Sequence, residues 1–115
     1  ASQVIKALSE RRLAGEVCVV GQDAELGACQ RIVEGTQPMT VYKSIEKLAM
    51  RAAESAVALA RDGEVKTGGT YFDGTWDVPY IGLEPVAVTE NNMQVIIDDG
   101  YHLEEDIYLN VNREE

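Results

Sequence analysis

Two short apolar segments, one helix-length apart, restrict this chain more than any other feature. Val17-Cys18-Val19-Val20 is continuous, apolar and largely β-branched, and Gly21 follows it. Such a run reads as a buried strand of the kind that parallel sheets contain. Met39 to Tyr42 reads as a second strand. Between them, Asp23 opens a helix with Leu26, Cys29, Ile32 and Val33 on one face. Gly35 follows its end, and Thr36-Gln37-Pro38 turns the chain. Strand, helix, strand is the unit that makes neighbouring parallel strands.

The flanking segments extend the pattern. Val4, Ile5, Leu8 and Leu13 mark an apolar stripe on a first helix, which Ala14-Gly15 is expected to end. Ser44 can cap the longest helix, which runs to about Arg61 and closes at Gly63. Its apolar face is Ile45, Leu48, Ala49, Ala52, Ala53, Ala56, Leu59 and Ala60, and five of those eight positions are alanine. A face so small-sided is built to lie close against a neighbour. Beyond it, Asp73-Gly74 between aromatic and β-branched residues reads as a hairpin turn, and Pro79 and Pro85 bracket extended pieces. Val86-Ala87-Val88 reads as a strand and Asn92 to Asp99 as a short helix ending at Gly100. The acidic tail from Tyr101 has no assignment. Helices alternating with strands imply an α/β fold with a parallel sheet. Two buried strands and one outlying strand are few for such a sheet, so the chain reads as the later part of a longer one.

Charge narrows the partners. Twenty Asp and Glu against ten Lys and Arg give a net charge of −10. Nucleic acid and anionic membrane surfaces both recruit basic patches, so neither is an expected partner. A hydrophobic share of 45% argues against disorder. No apolar run approaches the ~18 residues of a membrane-spanning helix. Cys18 and Cys29 match no metal or redox spacing and read as two buried thiols acting as small hydrophobes. His102 is the single histidine, so a zinc site or a Ser-His-Asp triad would have to be built around it. It is expected to cap or pack near the end of the chain.

Ligands of parallel α/β sheets bind at the carboxyl ends of the strands. The first strand leads into Gly21-Gln22-Asp23 and the second into Tyr42-Lys43. A carboxylate accepts several hydrogen bonds and an ammonium donates three. Asp23 and Lys43 together therefore suit a small polyhydroxylated ligand. The plainer alternatives are that Asp23 is a helix N-cap and Lys43 a solvated surface lysine.

The stretches Gly15-Glu16-Val17, GQDAEL, CQRIVEGTQPMTVYK and the alanine-rich helix resemble the C-terminal part of the extracytoplasmic xylose-binding proteins. These are the periplasmic-type sugar receptors of ABC importers. The resemblance runs from Ala1 to about His102 and is most specific from Val17 to Lys43. Asp77-Val78-Pro79, Pro85, Asn91-Asn92 and Asp98-Asp99-Gly100-Tyr101-His102 also follow the pattern. It implies a partial Rossmann-like, parallel-sheet lobe of a type I periplasmic binding protein, with segments that cross the hinge. Residues 1–43 would then belong to the C-terminal lobe, 44–85 would cross to the N-terminal lobe, and 86–115 would supply the return strand and tail. By the same resemblance Asp23 and Lys43 hydrogen-bond the hydroxyls of a pentose such as xylose, with no cofactor, metal or catalytic residue. The implied location is extracytoplasmic, in the periplasm or lipid-anchored at the cell surface, beside the membrane permease of an ABC importer. Ser44 stands where the family usually has proline, Glu25 replaces a common aspartate, and the tail beyond His102 is longer than expected and has no family reading. Trp76 offers a face on which a sugar could stack, but its loop lies outside the family's sugar contacts. It is read as packing against the hinge, and Tyr71, Phe72 and Tyr80 as core or rim packing.

Two other functions use related features. A sugar-sensing module for a membrane histidine kinase would share the same cleft. A receiver-type phosphoacceptor domain has about this length and also places an aspartate and a lysine at strand ends. It would need an acidic pair after an early strand to hold magnesium, and none is present. A hydrolase is disfavoured, since no G-x-S-x-G elbow occurs. The alanine-rich face carries its own expectation: alone in solution, the chain should self-associate through it or exchange segments with a second copy. Light scattering at rising concentration checks this, and a strict monomer throughout would contradict it.

Overall fold

The Val17–Val20 run is a poor strand in the computed structural model, which describes residues 1–111. Helix α1 spans Ser2–Ser9, and pairing begins at β1, Gly21–Gln22. Helix α2 (Leu26–Val33) leads to β2 (Thr40–Tyr42), and helix α3 follows over Ile45–Asp62. Next come β3 (Gly69–Phe72), β4 (Asp77–Tyr80), β5 (Val86–Val88) and a 3-10 turn at Glu90–Asn92. Helices α4 (Gln94–Asp98) and α5 (Glu104–Ile107) complete the described chain.

The chain divides into two units. One comprises Ala1–Lys43 together with the chain from Pro85 onward, and the other is Ser44–Glu84. In the first, the strand order is β1-β2-β5. Strands β1 and β2 are parallel, with Gly21 opposite Thr40. Strands β2 and β5 are antiparallel, with Tyr42 opposite Val86. The expected α/β class is thus present, on a sheet that is mixed rather than wholly parallel. The core lies against this sheet, where Ile32 and Cys29 of α2 meet Val88, Met93, Ile96 and Ile107. The segment without a sequence assignment closes that core. Ile107 is buried, Gln30 donates to the Asp106 carbonyl at 2.9 Å, and Asn110 donates to Glu34 at 2.8 Å.

Three expectations about this unit need correction. Val17 and Val20 are 43% and 56% exposed, not buried. Strand β1 lies at the edge of its sheet with β2 as its partner, and its pairing covers Gly21 and Gln22, leaving Val17–Val20 outside the ladder. Val17 makes only an isolated bridge to Ala14. Cys18 lies on this exposed run, so only Cys29 is a buried thiol. Helix α1 also stops sooner than its stripe suggests. The Arg12 and Leu13 N–H groups return to the Ser9 and Leu8 carbonyls at 3.0 and 2.9 Å, with Arg12 at φ 57°. That is a Schellman closure with arginine at the left-handed position usually held by glycine.

In the second unit, α3 begins and ends as its sequence indicates. The Ser44 hydroxyl accepts from the Lys47 N–H at 3.4 Å, and Gly63 closes the helix at φ 73°. No residue of α3 is buried. The β3–β4 hairpin is antiparallel, with Phe72 opposite Asp77. Its aromatic residues enter no core, although Tyr71 and Tyr80 meet edge to face with ring centroids 6.4 Å apart. Tyr71, Phe72, Trp76 and Tyr80 are all exposed, because a two-stranded hairpin has no second layer to cover its faces.

The hairpin turn is organised by Asp73, whose carboxylate accepts the Thr75 and Trp76 N–H groups, each at 2.8 Å. Those backbone bonds, Trp76 first, hold its carboxyl below the ordinary value of 3.8. A lowered folded value means that the turn's stabilisation is complete above pH 3.8 and is lost as pH falls through the lowered value. An NMR titration of the Thr75 and Trp76 amide shifts should therefore show a midpoint below 3.8. A midpoint at or above it would mean that the turn does not hold Asp73.

Candidate functional site

Where β1 ends, the backbone does something costly. Asp23 and Ala24 have φ of 77° and 46°, the left-handed region that residues with a Cβ avoid. Two successive residues of this kind turn the chain sharply off the sheet, and Glu25 then opens α2. The strain is roughly 1 kcal/mol or more for each residue.

Hydrogen bonds from several directions offset it. The Asp23 N–H donates to the Val41 carbonyl at 2.7 Å, and the Ala24 N–H donates to the buried Thr40 hydroxyl at 3.3 Å. The Ala24 carbonyl lies 2.8 Å from His102 Nε2 and accepts its N–H. The Cys29 thiol points at the same oxygen from 3.5 Å. Burial pushes that thiol up to about 11, so it stays protonated and able to donate. The Tyr101 hydroxyl donates to the Asp23 carbonyl at 3.3 Å. Each neutral bond nets about 1 kcal/mol, the same order as the strain at one residue, so the turn depends on the set as a whole. Ala24 ends fully buried beneath the turn.

The turn leaves the Asp23 carboxylate at the carboxyl edge of the sheet. Lys43 follows β2 immediately, and β1 and β2 are parallel neighbours, so both side chains emerge at the same edge. Asp23 Oδ1 lies 2.7 Å from Lys43 Nζ, with the two side chains 58% and 53% exposed. Lys43 also donates to Gln22 Oε1 at 3.4 Å. Asp23 is therefore not the N-cap of α2. That position belongs to Glu25, whose side chain makes no capping bond. Nor is Lys43 simply solvated, since it bonds both polar side chains, Gln22 and Asp23, at the carboxyl end of β1.

This arrangement offers a charged acceptor, a charged donor and an amide side by side on an open edge. Such a set can exchange its internal bonds for bonds to vicinal hydroxyl groups, which both donate and accept. Among the described residues, no cluster of three His, Cys, Asp or Glu side chains could hold a metal ion. No helix is long and apolar enough to cross a membrane, again among the described residues.

Sequence reasoning paired Asp23 with Lys43 but missed what supports them. Gln22 could have been found from its place at the strand end. Thr40, Tyr101 and His102 carried no local signal, since the last two act across 78 residues of chain. His102 was expected to cap or pack near the end of the chain; it instead bonds the Ala24 carbonyl of the turn that presents Asp23.

Comparison with known proteins points the same way. The profile of the periplasmic binding protein domain family matches residues 1–64. The D-xylose-binding periplasmic protein of Haemophilus influenzae is 45% identical over 109 residues, which are 94% of this chain and 33% of that protein. The D-xylose-binding periplasmic protein of Escherichia coli is 45% identical over 108 residues, covering 93% of this chain and 33% of its own. The chain thus spans about a third of the length of the curated relatives it matches. A carbohydrate transporter solute-binding protein from Chloroflexus aurantiacus, solved in complex with D-glucose, superposes with a TM-score of 0.71. It is 42% identical, and the match covers 77% of this chain and 26% of that one.

An ion pair this exposed adds little to stability, about 0–1 kcal/mol. Lys43→Met should therefore shift the urea unfolding free energy by less than about 1 kcal/mol. A loss above about 2 kcal/mol would mean that the pair holds the fold together rather than standing ready for a ligand.

Proposed function

Because this chain belongs to the periplasmic binding protein domain family, we propose that it supplies one sugar-contacting wall of a solute-binding protein. The ligand is a pentose such as D-xylose, and the role is binding rather than catalysis. The complete receptor delivers the sugar to the membrane permease of an ABC importer from an extracytoplasmic position. The two relatives bind D-xylose by name, and the Chloroflexus protein serves a carbohydrate transporter, which favours import over kinase sensing. Family membership displaces the receiver-domain reading.

One observation carries the proposal: Asp23 and Lys43 stand 2.7 Å apart at the carboxyl edge of two parallel strands. Asp23 accepts from sugar hydroxyls and Lys43 donates to them, each giving up its partner as the sugar enters. The first unit belongs to the C-terminal lobe of the receptor. The second, Ser44–Glu84, belongs with the N-terminal lobe. That assignment rests on the chain leaving the first unit directly after Lys43 and rejoining it at Pro85.

The energetics set the affinities. Two charged groups facing open water supply at most a few kcal/mol, which corresponds to roughly millimolar binding or weaker. Isothermal titration of this chain alone with xylose should therefore give a Kd of about a millimolar or above. In the complete receptor, where the site closes, Asp23→Ala leaves sugar hydroxyls unpaired and should weaken binding at least about tenfold. An unchanged Kd for Asp23→Ala would end the assignment of Asp23 to the sugar.

A further inference from the structure

The residues after α4 touch the candidate site from below. Gly100, at φ 66°, closes α4 in a Schellman turn, with the Tyr101 N–H returning to the Ile96 carbonyl at 3.0 Å. That closure fixes where Tyr101 and His102 project. His102 reaches the Ala24 carbonyl at 2.8 Å, and Tyr101 reaches the Asp23 carbonyl at 3.3 Å. The two rings lie against one another, 4.5 Å between centroids. Tyr101 also packs on Tyr42, 5.2 Å between centroids, and Tyr42 directly precedes Lys43. The Tyr42 hydroxyl in turn donates to Asp99 at 3.2 Å. One short segment thus holds the backbone under Asp23 and the residue that introduces Lys43.

We infer that Tyr101 and His102 are positioning residues, which keep the Asp23–Ala24 turn left-handed so that the Asp23 carboxylate faces the ligand beside Lys43. The inference deepens the proposed sugar site and rests on it. The physical reason is the strain. Neither Asp23 nor Ala24 has the freedom of glycine, so a right-handed backbone is intrinsically favoured at both. Rotating the turn would swing the carboxylate away from Lys43. The two carbonyl bonds from the 101–102 segment are lost in any such rotation. The ring of His102 is the better part of the clamp, because its bond is shorter and lands on the carbonyl of a fully buried residue.

The test uses the complete receptor, with xylose as the probe and four variants. His102→Phe keeps a ring but removes the donor. His102→Gln returns an N–H at a similar reach. Tyr101→Phe keeps the packing on Tyr42 and removes only the hydroxyl. Asp23→Ala reports on the site itself. Two readouts are taken: xylose Kd by calorimetry, and hydrogen exchange of the Asp23 and Ala24 amides without sugar. His102→Phe should weaken xylose binding about tenfold, because the Ala24 carbonyl keeps only the longer, weaker bond from the Cys29 thiol. It should speed exchange at Asp23 and Ala24 by a similar factor while Ile32 and Ile96 are little changed. His102→Gln should restore both readouts to within about threefold, and Tyr101→Phe should show a smaller effect of the same kind. If Asp23→Ala weakens binding while neither His102→Phe nor Tyr101→Phe changes Kd or local exchange, the positioning role is wrong and the sugar site stands. If Asp23→Ala leaves Kd unchanged, the site assignment falls and the positioning role falls with it. Faster exchange shared equally by Ile32 and Ile96 would show general loosening and would also overturn the inference. Should His102→Phe fail to fold, Tyr101→Phe and His102→Gln decide the question by the same two readouts.

Discussion

The left-handed turn at Asp23–Ala24 is the constraint around which the first unit is arranged. Two residues with side chains sit where glycine is the natural choice, and nothing local makes them stay there. What holds them is distributed over the fold: a strand carbonyl from Val41, the buried hydroxyl of Thr40, and the phenol and imidazole of Tyr101 and His102. The turn in turn decides where α2 begins, and α2 carries much of the core. Packing and site are therefore coupled through a few atoms of backbone.

This coupling explains why the site could be half read from the sequence. Asp23 and Lys43 were legible because each follows an apolar strand segment and one helix joins the two, so topology alone brings them together. The boundaries of α3 were legible for local reasons too: a serine able to cap, a glycine able to close, and an uninterrupted helical spacing between them. Asp73-Gly74 marked its hairpin in the same way. The backbone conformation that aims Asp23 was not legible. It is set by groups on an element far along the chain, and no pattern near residue 23 records it.

The failures share a cause of a different kind. Val17–Val20 and Cys18 were assigned to an interior, and the hairpin aromatics to packing, on the strength of their chemistry. Apolar character states what a segment gains from being covered, not whether a covering layer exists. Val17–Val20 lies outside the paired length of an edge strand, and the hairpin has one layer only. The end of α1 failed for yet another reason. Arg12 takes the left-handed closing position, while Gly15, the residue that looked like the stop, lies beyond it.

The pairing of β2 with β5 has a consequence for how such a chain can change. Tyr42 and Val86 stand opposite each other in an antiparallel ladder, so the residues where the chain departs the first unit and where it returns are neighbours, about 5 Å apart. Everything from Ser44 to Glu84 is then, topologically, an insertion into a hairpin. A tight loop of a few residues could join the same two strand ends without disturbing their register. The intervening segment is thus free to lengthen, shorten or be exchanged between lineages while the sheet edge that presents Asp23 and Lys43 keeps its geometry. Two such fixed points make a cassette, and evolution or a protein engineer can swap its contents at little cost to the part that stays.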